Sequence, residues 1–236
     1  MTSDHKKEER DPHKGERESM FESEEHQEVT TKFAKDFIKL FKKNHPSSQS
    51  LLRDVTTKLS TIETQLAALS EDEASSLSCF QLQTLCCRVP LTSPDLVNVQ
   101  GNLATKLNSS LLKYIHEVQG IILAYSIFEL PETTKLMWDL PHIIVTTRIR
   151  ALVFAPTRGM KLIGTVGKIG ADHVSLLVLG VFNATLQKAE QGVMDLSMKK
   201  DHNTPFYVQK IDATTTPIII RGALSDPSSI PPPPTP

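Results

Sequence analysis

Residues 154–186, FAPTRGMKLIGTVGKIGADHVSLLVLGVFNATL, limit the choice of fold more than any other stretch of the chain. The apolar runs are short, they alternate with polar residues, and Gly164, Gly167 and Gly180 cut them at a spacing no amphipathic helix would keep. A glycine inside a helix costs about 1 kcal/mol relative to alanine. In a small, strongly bent sheet the same residue supplies the bends and bulges that closure requires. The surrounding sequence extends this pattern: HIIVTTRIRALVFAP, KLIGTVGKIG, HVSLLVLGVF, FYVQKID and PIIIRGAL read as strands separated by Gly, Asp, Thr and Pro turns. Five short strands over residues 142–224 suit a small closed barrel of the oligonucleotide-binding type.

The upstream sequence has a different period. Residues 1–26 are dense in Glu, Lys, His and Ser with little to bury, and are expected to be a disordered charged tail. Residues 27–75 read as a helical extension of two amphipathic helices. In the first, Val29, Phe33, Phe37, Leu40 and Phe41 share a face until Asn44 and Pro46 stop it. The second starts near Ser47 or Ser48 as cap and carries a heptad seam of Leu52, Val55, Leu59, Ile62, Leu66 and Leu69. That seam packs either on the preceding helix or on another subunit.

Residues 79–141 then read as a small α+β unit. CFQLQTLCCRV is one or two extended segments ending at Pro90. A third helix from Asp95 or Gly101 carries Leu103, Leu107, Leu111, Tyr114 and Val118 on one face and stops at Gly120, and GIILAYSIFEL is a strand ended by Pro131. Residues 225–236, SDPSSIPPPPTP, are expected to form an extended polyproline tail. The fold class expected is thus α+β: an N-terminal helical extension, a small α+β unit, and a five-stranded barrel.

With 236 residues the chain is long enough for one or two compact domains, and with 6% aromatic residues its cores must be mainly aliphatic. The formal net charge of -1 hides an uneven distribution, because residues 142–224 hold ten Lys and Arg against five Asp and Glu. No signal peptide or membrane-spanning run is visible, so an intracellular, soluble protein is expected. Cys79, Cys86 and Cys87 have neither disulfide nor zinc spacing and read as reduced thiols.

Catalytic motifs are missing. GTVGKIG fails as a phosphate loop, because Leu162 stands where the first glycine belongs and Ile169 follows Lys168 where a Ser or Thr would hold magnesium. There is no G-x-S-x-G or H-E-x-x-H, so no enzyme activity, cofactor or metal is expected. Nucleic-acid binding is the remaining chemistry. Arg148, Arg150, Arg158, Lys161 and Lys168 are the candidate RNA contacts, or they merely keep the barrel soluble. The few rings nearby, Phe154, Phe182, Phe206 and Tyr207, predict weak, salt-dependent binding with little sequence preference.

One resemblance is specific. LLKYIHEVQGIILAYSIFEL, the pattern F-x-P-x-x-G-x-K-L-x-G at Phe154, Pro156, Gly159 and Gly164, and LVLGVFNATL with Gly180, Phe182, Asn183 and Ala184 resemble the stalk subunit of RNA polymerase I. That family is related to the corresponding stalk proteins of archaeal RNA polymerase and of polymerases II and III. The resemblance covers residues 82–224; the helical pair before it is not part of the family pattern.

The resemblance implies a non-catalytic subunit with a tip domain at residues 79–141 and an S1-type barrel, in which residues 154–186 look like strands 1 to 3 and GVFNATL is the turn that closes the third. It implies a tip seated on the polymerase I core, a small stalk partner subunit, an initiation factor docked on the stalk for ribosomal DNA transcription, nascent RNA passing the barrel, and residence in the nucleus and nucleolus. Leu107, Leu111 and Tyr114 become candidate tip-interface residues. The alternatives are a free S1-type RNA-binding protein in translation or RNA processing, and a coiled-coil adaptor that works through the heptad helix.

Overall fold

The computed structural model describes residues 20–45, 50–129, 135–136, 142–170, 172–187, 200–213 and 218–224. In chain order, β1 (Phe21–Glu28) leads into three helices, α1 (Thr31–Asn44), α2 (Ser50–Ala68) and α3 (Glu71–Ser76). Strand β2 (Phe80–Thr92), a 3-10 turn (Ser93–Asn98) and α4 (Val99–Asn108) follow, then β3 (Tyr114–Ile115), β4 (Gly120–Glu129), β5 (Lys135–Leu136) and β6 (His142–Phe154). The remaining strands are β7 (Lys161–Ile169), β8 (His173–Val178), β9 (Phe182–Gln187), β10 (Asn203–Asp212) and β11 (Ile219–Ala223). The first six strands form one sheet in the order β1-β2-β6-β4-β3, with β5 on β6. The last five close a barrel in the order β7-β8-β9-β11-β10. The fold is α+β with an OB barrel, as the sequence predicts.

Two strand assignments change. The segment read as the first barrel strand is β6, the centre of the sheet. It pairs with β2 along its whole length, from Phe80↔Phe154 to Thr92↔His142, and with β4 on its other side. Its alternation gives no hint of which sheet it joins. The deciding feature is its end, where Ala151, Leu152, Val153 and Phe154 are all buried, because there the strand is covered on both faces. The barrel's third strand is β9, the FNATL segment expected to be a turn. Phe182, Ala184 and Leu186 point inward while Asn183, Thr185 and Gln187 point out. The boundary before the barrel therefore lies after Phe154 rather than at residue 142.

The N-terminal expectations change as well. Residues 1–19 lie outside the described residues, but Phe21–Glu28, read partly as tail, form β1 on the edge of β2. Only Phe21 of β1 is buried, and a charged edge strand discourages further strand pairing. Helix α1 is capped by Thr30, whose side chain accepts from the Phe33 amide at 3.3 Å, and it ends at Asn44 as expected. Its inward face differs from the one expected: Ala34, Ile38 and Phe41 are buried, while Phe33 and Leu40 are exposed.

The expected caps of α2, Ser47 and Ser48, lie outside the described residues. Leu59, Ile62 and Leu66 of its seam are buried within the chain, and Lys42 Nζ clamps α1 to α2 through Glu63 Oε2 at 2.7 Å and Ser60 Oγ at 2.9 Å. Downstream, the third helix is shorter than its periodicity suggests. It stops at Asn108, Leu112 turns at φ +60°, and Tyr114 belongs to a hairpin. Gly120 opens β4 instead of ending a helix. A Cβ there would lie 2.5 Å from Val153 Cγ1 and 2.9 Å from the Phe154 carbonyl.

Sheet and barrel share one continuous apolar core. At their junction Phe154, the last residue of β6, lies against Phe80 (ring centroids 5.9 Å) and stacks on Phe182, the first residue of β9 (5.0 Å, planes 7° apart). The Ala155 amide donates to the Cys79 carbonyl at 2.8 Å. Helix α2 adds a second brace, because Thr61 and Gln65 rest against Gly180 in the β8–β9 turn, where φ is +69°. Replacing Phe154 by Ala is expected to destabilise the protein by about 3–5 kcal/mol, and by Leu distinctly less. Urea unfolding followed by circular dichroism checks this, and a loss below about 1 kcal/mol for the Ala variant contradicts a junction built on this ring.

Candidate interaction surfaces

The five candidate RNA-contact cations fall in three places. Arg148 and Arg150 stand on the open face of the sheet, not on the barrel. Arg148 is engaged there, with Nε 3.1 Å from Glu24 Oε1 and Nη1 2.9 Å from Glu129 Oε2, and these carboxylates raise its pKa further. Glu24 lies on β1, in the stretch expected to be a tail, so this partner was not visible in the sequence. Arg158 sits in the turn between sheet and barrel. Lys161 and Lys168 are both exposed but mark opposite ends of β7, roughly 20 Å apart at about 3.3 Å per residue.

The register of the barrel collects a different set. Lys161 lies opposite Tyr207 on β10, and Lys210, further along β10, lies opposite Arg221 on β11. All four point outward, so one side of the barrel offers three cations and a half-buried ring. Sequence reasoning missed Lys210 and Arg221 because only the β7–β10 and β10–β11 pairings together bring them to the side that carries Lys161. Arg221 is partly occupied by Asp212, at 3.4 Å.

The β8–β9 side is the surface where barrels of this type often bind oligonucleotides. Here β8 and β9 present His173, Ser175, Leu177, Asn183, Thr185 and Gln187, with no Lys or Arg and with His173 as the one ring, while Arg221 of β11 pairs beside Thr185. A cleft of about 240 Å³ opens beside it between Asp172, His173, Thr185, Gln187, Ile219 and Arg221. On the β7–β8 flank, Gln65, Leu69 and Leu77 close over Ile163, Thr165 and Leu177, leaving about 10 Å³, room for at most one water.

The tip residues also separate. Leu107 and Leu111 are buried and hold α4 and the turn after it to the sheet; Tyr114 is half-buried in the β3–β4 hairpin. Among the described residues of this unit the exposed large apolar ones are Leu96 and Val97, 40% and 92% exposed in the 3-10 turn. A short LV pair among polar residues gives no periodic signal, so the sequence did not single it out. The turn is firmly built. Asp95 Oδ2 accepts from the Thr92 amide and hydroxyl, each at 2.8 Å, and lies 3.1 Å from Lys106 Nζ. These contacts hold the Asp95 pKa below the usual aspartate value.

The residues of the resemblance motif act as a scaffold. Phe154 and Phe182 form the junction stack, Pro156 is buried, and Gly159 turns at φ +85° with its amide donating to the Val208 carbonyl at 2.8 Å. Gly164 leaves room for Leu176 and Phe206, Ala184 is buried, Asn183 is exposed, and Gly180 receives α2. Among the described residues no group of three or more His, Cys, Asp or Glu is placed to hold a metal ion, and no helix is long and apolar enough to cross a membrane. Burial pushes the Cys79 and Cys87 thiols up to about 12, so both are protonated at neutral pH.

Comparison with known proteins agrees with this geometry. A family model described as the RPA43 OB domain in RNA Pol I matches residues 156–201. The chain is 35% identical over 83 residues to the DNA-directed RNA polymerase I subunit rpa43 of Schizosaccharomyces pombe, covering 35% of this chain and 48% of the relative. It is 30% identical over 142 residues to the DNA-directed RNA polymerase I subunit RPA43 of Homo sapiens, covering 56% of this chain and 41% of the relative. For the subunit of the same name in Mus musculus the identity is 29% over 143 residues, covering 58% and 43%. The matched segment thus spans less than half the length of each of these relatives. The resemblance to the polymerase I stalk subunit, read from motifs within residues 82–224, is borne out.

Proposed function

We propose that this chain, a relative of the RNA polymerase I subunits named RPA43, serves as a non-catalytic stalk subunit of RNA polymerase I. The observation that carries the reading is the close-packed joint between an OB barrel and an α+β tip whose most exposed apolar residues, among those described, stand together on one fixed turn. A stalk needs a foot that seats on a larger body and a head held at a fixed angle to it. Leu96 and Val97 supply the foot, an apolar contact to the polymerase core. The barrel supplies the head, which meets the small stalk partner subunit and the initiation factor that brings the enzyme to ribosomal DNA. Work on ribosomal DNA puts the protein in the nucleus, at the nucleolus.

The contact with nascent RNA is assigned to Lys161, Tyr207, Lys210 and Arg221, with Arg158 at its margin. Charge dominates such a surface and one ring adds little stacking, so it guides RNA without selecting a sequence. This weighs against a free RNA-binding protein, for which β8 and β9 offer no Lys or Arg and only the His173 ring as a platform. Burial of Leu59, Ile62 and Leu66 inside the chain weighs against an adaptor that works through the heptad helix.

Purification of the endogenous, tagged protein at moderate salt is expected to recover the large polymerase I subunits in near-stoichiometric amount by mass spectrometry. Leu96→Asp with Val97→Asp is expected to lose them while the thermal midpoint stays unchanged. Ribosomal or processing factors in place of polymerase overturn the reading. For RNA, the log-log salt dependence of binding by the full chain is expected to flatten by about two in the Lys161→Glu, Lys210→Glu double variant, and hardly at all in Lys168→Ala. Fluorescence anisotropy from low to moderate salt measures the slopes, and an unchanged slope in the double variant shows that RNA does not use this surface.

A further inference from the structure

The stalk reading uses the tip turn and the barrel and leaves α1 with no task. This helix divides its circumference in three. Ala34, Ile38 and Phe41 are buried in the protein. Phe33, Phe37, Leu40 and Asn44 recur every three or four residues and form a second, neighbouring stripe, along which Phe33 is 41% and Leu40 54% exposed. The Phe33 and Phe37 rings lie 6.0 Å apart, so the stripe is continuous. On the remaining arc are Lys32, Lys35, Lys39 and Lys43, none of which makes an ion pair with a described residue, whereas Lys42 is held by Glu63. Asp36 is the only acid on the helix.

The stripe borders a groove. A cavity of about 210 Å³ lies between α1 and β4, with Phe37, Leu40 and Asn44 on one side and Ser126 and Ile127 on the other. An isolated surface helix gains nothing by turning two large apolar side chains to water beside a row of uncompensated lysines.

We infer that this face of α1, together with the groove against β4, is a docking site for an amphipathic helix of a protein partner, with apolar residues in the groove and acidic residues facing Lys32, Lys39 and Lys43. Charge complementarity fixes the chemistry of the occupant: α1 brings an excess of lysine along one flank of its apolar stripe, and only an acidic flank on the partner offsets it. The surface is concave and the inner third of α1 is locked into the core, which suits a helix in a groove better than a flat bilayer. The inference goes beyond the stalk reading and stands whichever complex holds the chain.

The test places a photo-crosslinking benzoylphenylalanine at Leu40 of the full-length chain in its own cells and sequences the crosslinked peptides by mass spectrometry. The expected product is one partner peptide with apolar residues spaced three and four apart and several Asp or Glu among them. Crosslinks to RNA, to lipid or to a second copy of this chain overturn the inference, as does a yield no higher than that from exposed Lys58 on α2. With the probe moved to Asn44, Phe33→Ser with Leu40→Ser, and separately Lys39→Glu with Lys43→Glu, are each expected to lower the yield at least about tenfold. Circular dichroism verifies that both variants remain folded. An undiminished crosslink in either pair contradicts it.

Discussion

The stack of Phe154 on Phe182, backed by Phe80, is the contact on which the rest of the molecule depends. A sheet and a barrel joined by a short turn would otherwise move against each other, since interfaces within a chain permit relative motion unless they are large and apolar. Here the last residue of β6 and the first of β9 are both buried in the same core, and the neighbouring backbones are tied by the Ala155–Cys79 hydrogen bond. Helix α2 adds a brace from the other side, reaching the glycine turn of the barrel while its seam faces the core.

Rigidity gives meaning to where the exposed groups lie. The tip turn with Leu96 and Val97, the Lys161–Tyr207–Lys210–Arg221 side of the barrel and the apolar stripe of α1 are separate surfaces on one body. Each has a different chemistry: apolar and fixed, cationic with one ring, and apolar beside lysine. The proposed stalk role calls for several contacts that do not compete, and this arrangement keeps the three surfaces apart.

The barrel was legible because glycines and alternation act locally. Strands β7, β8, β10 and β11 and the buried residues of β9 follow a period of two that is visible directly in the sequence. What the sequence hid were pairings. Nothing in HIIVTTRIRALVF distinguishes a strand flanked by β2 and β4 from a first barrel strand, and nothing in FESEEHQE announces an edge strand with one buried residue. The helix from Val99 is shorter than its spacing predicts, because Leu111, Tyr114 and Val118 continue that spacing by coincidence although the helix ends at Asn108 and the chain turns at Leu112. The site residues suffered most, since cations gather by register. Arg148 and Lys168 looked equivalent to Lys161 along the chain, yet one is paired on the sheet and the other stands at the far end of β7.

The central claim is that sheet and barrel form one rigid unit through the Phe154–Phe182 stack. Spin labels at exposed Thr146 on β6 and Gln187 on β9, in a Cys86→Ser background, test it most directly by pulsed electron resonance. A single narrow distance distribution is expected, broadened by Phe154→Ala. A broad or two-peaked distribution in the protein with Phe154 intact would contradict it.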